Sequence, residues 1–142
     1  MPTYVALLRA LNVGGRFYKM ADLREHLTES GLEDVETHIQ TGNVRFRTSM
    51  RSAAKVEKHV EGVLAEHCRF DVPAVIFTPE QLRQVWNDAM GIPEPAFGAD
   101  GDQRRYVTFF KVGHAPAGDV AKQIEAWDEE GDGRADNGRL EL

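Results

Sequence analysis

As far as Thr78, the apolar residues take in turn the spacing of a strand, a helix, two strands, a helix and a strand. Few folds accept that order in so short a span. Residues 3–9 are apolar in both alternating sets, Val5/Leu7 and Ala6/Leu8, which predicts a strand buried on both faces. Met20, Leu23 and Leu27 predict a helix over residues 19–30, and Gly31 followed by Leu32 fits a Schellman-type stop. Val35, Thr37 and Ile39 alternate with Glu36, His38 and Gln40. Beyond the turn signal Thr41-Gly42-Asn43, the run Val44-Arg45-Phe46-Arg47-Thr48 alternates again, so the two runs predict a β-hairpin. Ser52 can cap a helix carrying Val56, Val60, Val63, Leu64 and His67 at helical spacing. Residues 71–78 predict a strand centred on Ala74-Val75-Ile76-Phe77. Thr78-Pro79-Glu80-Gln81 then combines a cap, a proline at the first helical position and a capping-box glutamine. The helix it opens has the stripe Leu82, Val85, Trp86, Ala89 and Met90, and Gly91 stops it.

The expected class is therefore α+β, with a ferredoxin-like β-α-β-β-α-β unit over residues 1–90. Residues 91–103, rich in Gly, Pro and Asp, form a connecting loop. Residues 104–142 restart the pattern with a strand over 105–112, a helix marked by Val120, Ile124 and Trp127, and a turn Asp136-Asn137-Gly138-Arg139 before Leu140-Glu141-Leu142. They are expected to be an incomplete second copy packed on the first unit. Either that unit or a partner chain must cover the second face of the first strand. An open strand edge near Leu140 would invite pairing, so a homodimer is expected.

Charge and cysteine content narrow the function. With 17 basic and 23 acidic residues the net charge is −6, which argues against a general nucleic-acid binder. The one cysteine, Cys68, allows no intrachain disulfide and suits a reducing compartment, so a cytoplasmic location is expected. The N-terminus has neither a basic leader nor a long apolar run, and no stretch approaches the ~20 apolar residues of a membrane span.

Strand–helix–strand crossovers are right-handed, which makes strands one and two parallel, with strand three antiparallel between them. The loop after strand one must then lie beside the hairpin after strand two. That edge gathers Arg9, Asn12, Gly14, Gly15, Arg16, Lys19, Gln40, Thr41, Gly42 and Asn43, together with the N-terminus of the first helix. Glycines let a ligand approach the backbone, amides orient polar groups, and Arg and Lys neutralise phosphate or carboxylate. A small anionic or nucleotide-like ligand is the expected guest, with Arg9 as anion contact and Asn12 as orienting amide. The competing explanation is purely structural: Gly14-Gly15 as a tight turn, Gly42 supplying positive φ, Asn12 and Asn43 as loop caps. Neither Gly-x-x-x-x-Gly-Lys nor Gly-x-Gly-x-x-Gly occurs at Gly14-Gly15, and no cofactor is expected.

Three stretches carry a family resemblance: Leu7-Leu8-Arg9-Ala10-Leu11-Asn12-Val13-Gly14-Gly15, Met20-Ala21-Asp22-Leu23-Arg24, and His38-Ile39-Gln40-Thr41-Gly42-Asn43-Val44. They resemble the DUF1697 family of bacterial proteins of unknown function, and Val107-Thr108-Phe109-Phe110 also looks like the family pattern. The resemblance implies two ferredoxin-like units and no known activity. Ala10 stands where the family usually has glycine, and Thr41 where it usually has serine. Family members usually continue with a basic Gly-Arg-Ser-Lys-like stretch, a helix and a last strand, so the second unit is expected to be incomplete here, either as a truncated form or because the sequence stops early.

Other chemistries find little support. His59 and His67 are too far apart on their helix to share an ion, and His67 and Cys68 point about 100° apart on a helix, so no metal site is expected. Asp128, Glu130, Asp132 and Gly133 mimic the start of a calcium loop, but Arg139 stands where its glutamate should be. Cys68 has no evident partner base and reads as a half-buried residue at a helix end. An RNA-binding sheet would need exposed aromatics on its central strands, and Phe46 lies on the core side, opposite Arg45 and Arg47. What remains is a ligand-binding protein with no assignable acid, base or nucleophile, or a non-catalytic interaction module.

Overall fold

The computed structural model describes residues 1–40, 42–91, 108–111, 117–119 and 122. The chain divides into two compact units, Met1–Arg83 and Gln84–Leu142. The first contains β1 (Thr3–Leu8), α1 (Met20–Glu29), β2 (Glu33–His38), β3 (Asn43–Arg47), α2 (Ala53–His67) and β4 (Ala74–Phe77). A third helix, α3 (Pro79–Gly91), begins in the first unit and runs into the second.

The result is an α+β fold with one four-stranded sheet in the order β2-β3-β1-β4, every neighbouring pair antiparallel. Strands β1 and β2 are thus parallel with β3 between them, as the sequence predicts. The register fixes the faces. Tyr4 lies opposite Phe46, and Ala6 lies between Val44 and Ile76. These residues share one buried cluster with Leu23 and Leu27 of α1 and Val56, Val60 and Leu64 of α2. Both helices therefore cover the same side of the sheet.

The helix ends obey local chemistry. Gly31 adopts φ +97, and Leu32 N–H reaches back to the Leu27 carbonyl at 3.2 Å, the Schellman closure the sequence predicts. Ser52 Oγ accepts from Lys55 N–H at 3.4 Å. Thr78 and Gln81 bond reciprocally, Gln81 N–H to Thr78 Oγ1 at 3.2 Å and Thr78 N–H to Gln81 Oε1 at 2.9 Å.

Several expectations change. Only one face of β1 is fully buried: Tyr4, Ala6 and Leu8 are buried, whereas Thr3, Val5 and Leu7 are half-buried. Their cross-strand neighbours on β3 are Arg47, Arg45 and Asn43, polar groups that keep this face wet on its β3 side. Arg45 pairs with Glu36 at 3.2 Å and Arg47 with Asp34 at 2.8 Å. Strand β2 ends at His38, so Ile39 does not continue the inward row; it turns with φ +54 and is 59% exposed. A register shift between Glu33 and Glu36 marks a bulge, with Asp34 at φ +49. Strand β4 begins at Ala74 rather than residue 71. Of the α3 stripe, Val85 and Ala89 are buried while Trp86 and Met90 are exposed, because one helical step swings a side chain by about 100°. Thr108–Lys111 lie in no assigned strand, and the rest of the strand expected over 105–112 lies outside the described residues. So do Val120, Ile124, Trp127, the acidic loop at Asp128, the C-terminal hairpin, and almost all of the 91–103 connector.

Adjacent β3 residues offer a direct check of the face assignment. Phe46→Ala should cost about 3–5 kcal/mol by opening a core cavity, and Arg45→Ala under about 1 kcal/mol, since it removes a surface ion pair. Urea denaturation of both variants measures the difference, and equal losses would reverse the assignment.

Candidate functional site

Leu8, the last residue of β1, pairs with Ala74, the first of β4; Leu7 pairs with Asn43, the first of β3. Three connections therefore meet at one edge of the sheet: the β1–α1 loop over residues 9–19, the β2–β3 hairpin at residues 39, 40 and 42, and the α2–β4 segment over 68–73. The first two are the pair the sequence predicts. The third was equally available, because the same crossover rule applied to β3-α2-β4 places the end of α2 at this edge.

Backbone and side-chain bonds lock the segments together. Leu8 N–H donates to the Gly42 carbonyl at 2.9 Å, and Arg9 N–H to the Pro73 carbonyl at 2.9 Å. Asn12 is the clasp. Its Nδ2 donates to the Gln40 carbonyl at 2.8 Å, and its Oδ1 accepts from Tyr18 N–H at 2.7 Å. One amide thus ties the loop to the hairpin and to the approach of α1. Asn12 itself has φ +55, a conformation asparagine tolerates well.

The glycines divide into two kinds. Gly42 is buried at φ +86, and a Cβ there would lie 2.9 Å from Leu8 Cβ and 3.1 Å from Leu11 Cδ2. Its role is to let the hairpin close on β1. Gly14 (φ +58) and Gly15 (φ +84) are exposed, and a Cβ on either would meet nothing within 4 Å. They make a turn whose backbone is open to solvent.

Arg9, Arg16, Lys19 and Gln40 are exposed at this edge, and Asn12 and Asn43 are half-buried. Thr41 lies outside the described residues. The Arg16 guanidinium sits over the Phe70 ring, 5.4 Å from its centroid, a cation–π contact. No side-chain hydrogen bond caps α1 at Lys19. Three apolar side chains are also turned to solvent here: Phe17 at 82% exposure, Ile39 at 59% and Val13 at 53%.

A second group of residues lies where α1 meets the end of α2. The Tyr18 hydroxyl hydrogen-bonds His26 Nδ1, and the His26 and His67 rings stack with centroids 3.6 Å apart and planes 5° apart. Burial, then the neighbouring Cys68 and Asp22, push the Tyr18 hydroxyl from 10.0 up to about 12. Tyr18 is therefore a neutral phenol at physiological pH. Burial also raises the Cys68 thiol, which disfavours the thiolate and agrees with a structural cysteine. A depression of about 310 Å³ is lined by Ala65, Cys68, Arg69, Phe70 and Asp71. Among the described residues no three His, Cys, Asp or Glu side chains converge as metal ligands, and no helix is long and apolar enough to cross a membrane.

The model of a family described as a protein of unknown function, DUF1697, matches residues 1–139. The chain belongs to the DUF1697 family. Its structure is similar to that of the conserved bacterial protein SP0830 from Streptococcus pneumoniae, at 34% identity and a TM-score of 0.55. The likeness covers 68% of this chain and 50% of the pneumococcal one, so the chain matches about half of that protein's length. No curated protein matches it. Ala10 holds φ +56, a left-handed conformation that costs a residue with a Cβ about 1–2 kcal/mol.

Two measurements probe this edge. Asn12→Ala removes both clasp bonds at a net ~1 kcal/mol each, so it should lower stability by about 2 kcal/mol in urea denaturation; an unchanged midpoint would dismiss the clasp. The Tyr18 proton is held more tightly in the folded than in the unfolded chain. Its contribution is complete below pH 10.0 and is lost as pH rises towards about 12. Stability should fall across that window in the wild type and fall less in Tyr18→Phe.

Proposed function

We propose that the edge formed by residues 9–19, 39–40, 42–43 and 68–73 binds a small anionic ligand, with Arg9 and Lys19 meeting its charge. The carrying observation is the Asn12 clasp. A loop with Arg9, Arg16 and Lys19 is bonded to the hairpin and to the start of α1, so the backbone that carries its cations is held in place before any ligand arrives. Neither Arg9 nor Lys19 forms an ion pair among the described residues. The open backbone at Gly14 and Gly15 adds peptide groups that an anion can approach. Asn12 contributes by holding the loop, since both ends of its amide are engaged. We assign no reaction.

We also infer that Met1–Arg83 is a ferredoxin-like unit. Its support is the element order and the strand order β2-β3-β1-β4. A cytoplasmic location is supported by the single free cysteine.

A second function is favoured by a different observation, the exposure of Val13, Phe17 and Ile39 on the same edge. Apolar side chains gathered on one surface mark contact sites, and a homodimer or other protein partner would cover them.

A thermal-shift screen against phosphate, sugar phosphates, nucleotides and small carboxylates separates the two. A ligand at 100 times its Kd stabilises by about 2.7 kcal/mol, a rise of roughly 5–10 °C for a domain of this size. The rise should disappear in Arg9→Ala while the unliganded melting temperature stays the same. A flat screen, together with a dimer by sedimentation that Phe17→Ala dissociates, would transfer the edge to protein contact.

A further inference from the structure

Resting on the anion-binding function of this edge, we propose that the ligand is a mononucleotide, its phosphate met by Arg9 and Lys19 and its base stacked on Phe17. A plain phosphate or sugar phosphate would use the cations and leave the most exposed large apolar side chain of the edge, Phe17, in water. A nucleotide uses both, because every base presents a flat face that an aromatic ring accepts. Phe17 lies between Arg16 and Lys19 in sequence, and its neighbours on both sides are anchored. Arg16 N–H donates to the Val13 carbonyl at 3.1 Å, and Tyr18 N–H donates to Asn12 Oδ1 at 2.7 Å. Arg16 is occupied over the Phe70 ring. The Phe17 ring makes no ring contact among the described residues. It is an aromatic surface on an anchored backbone, with Val13 and Ile39 as further exposed apolar groups at the same edge.

Charge decides between a mononucleotide and a nucleic-acid strand. The net charge of −6 repels a polyanion, and a strand needs a basic track along its phosphates. On the sheet itself, Phe46 is fully buried and Arg45 and Arg47 are paired with Glu36 and Asp34. The sheet therefore lacks the central-strand aromatics on which RNA-recognition sheets stack bases. One phosphate and one base match what the edge offers.

Calorimetric titration of the full chain with ribose 5-phosphate and with adenosine 5′-monophosphate tests this. Both carry the same phosphate, so the ratio of their affinities isolates the base. The nucleotide should bind about 10-fold tighter, as expected for one base stacked on one aromatic side chain. Phe17→Ala should reduce that ratio to near one, Phe17→Trp should keep it, and Arg9→Ala should weaken both probes alike. Phe17 is exposed, so both Phe17 variants should melt like the wild type, which a thermal scan checks. If ribose 5-phosphate binds as tightly as the nucleotide, or the ratio survives in Phe17→Ala, the nucleotide assignment is overturned and anion binding stands. If neither probe binds, both fall.

Discussion

Strand β1 is hydrogen-bonded along both sides, to β3 and to β4, and both partners run antiparallel to it. That pairing governs the unit. Two strands antiparallel to the same neighbour must both begin where it ends. The connection leaving β1, the hairpin entering β3 and the segment entering β4 are thereby forced onto one edge. The helices follow from the same pairing, since each crossover returns over the same face and the two meet in one core.

Once those segments converge, their own chemistry determines how firmly they are held. Gly42 lets the hairpin lie against Leu8 and Leu11 at a distance no Cβ would permit. Asn12 spends both ends of its amide on backbone groups. A ligand site built on such an edge needs little ordering on binding. The cost is local: Ile39, a β-branched residue, and Ala10 both occupy left-handed conformations. Both flank the clasp, so backbone strain and exposed side chains occur on the same two loops.

The packing of α1 against α2 brings together residues that no local pattern connects. Tyr18, His26, His67 and Cys68 come from two helices and their flanking segments, yet they share one neighbourhood. Its chemistry is subdued: burial keeps the phenol protonated and disfavours the thiolate. These groups fasten the helices beneath the edge, while the exposed cations and Phe17 face outward from it.

Much of the first unit was legible in residues alone. Period-two and helical spacings placed β1 to β4 and α1 to α3, and caps at Ser52, Thr78-Gln81 and Gly31-Leu32 formed as their local bonding predicts. Such features depend on neighbours a few residues away, so sequence determines them. The meeting of the β1–α1 loop with the hairpin was also readable, because crossover handedness is a rule of chirality rather than of particular side chains. Tertiary structure alone decided what each residue there does. It turned Asn12 from a possible ligand contact into a clasp, separated the packed Gly42 from the open Gly14 and Gly15, and swung Ile39 out of its strand row. It also stacked His26 of α1 on His67 at the far end of α2. Each of these outcomes depends on distances between segments far apart in the chain, and spacing along the sequence carries no information about those distances.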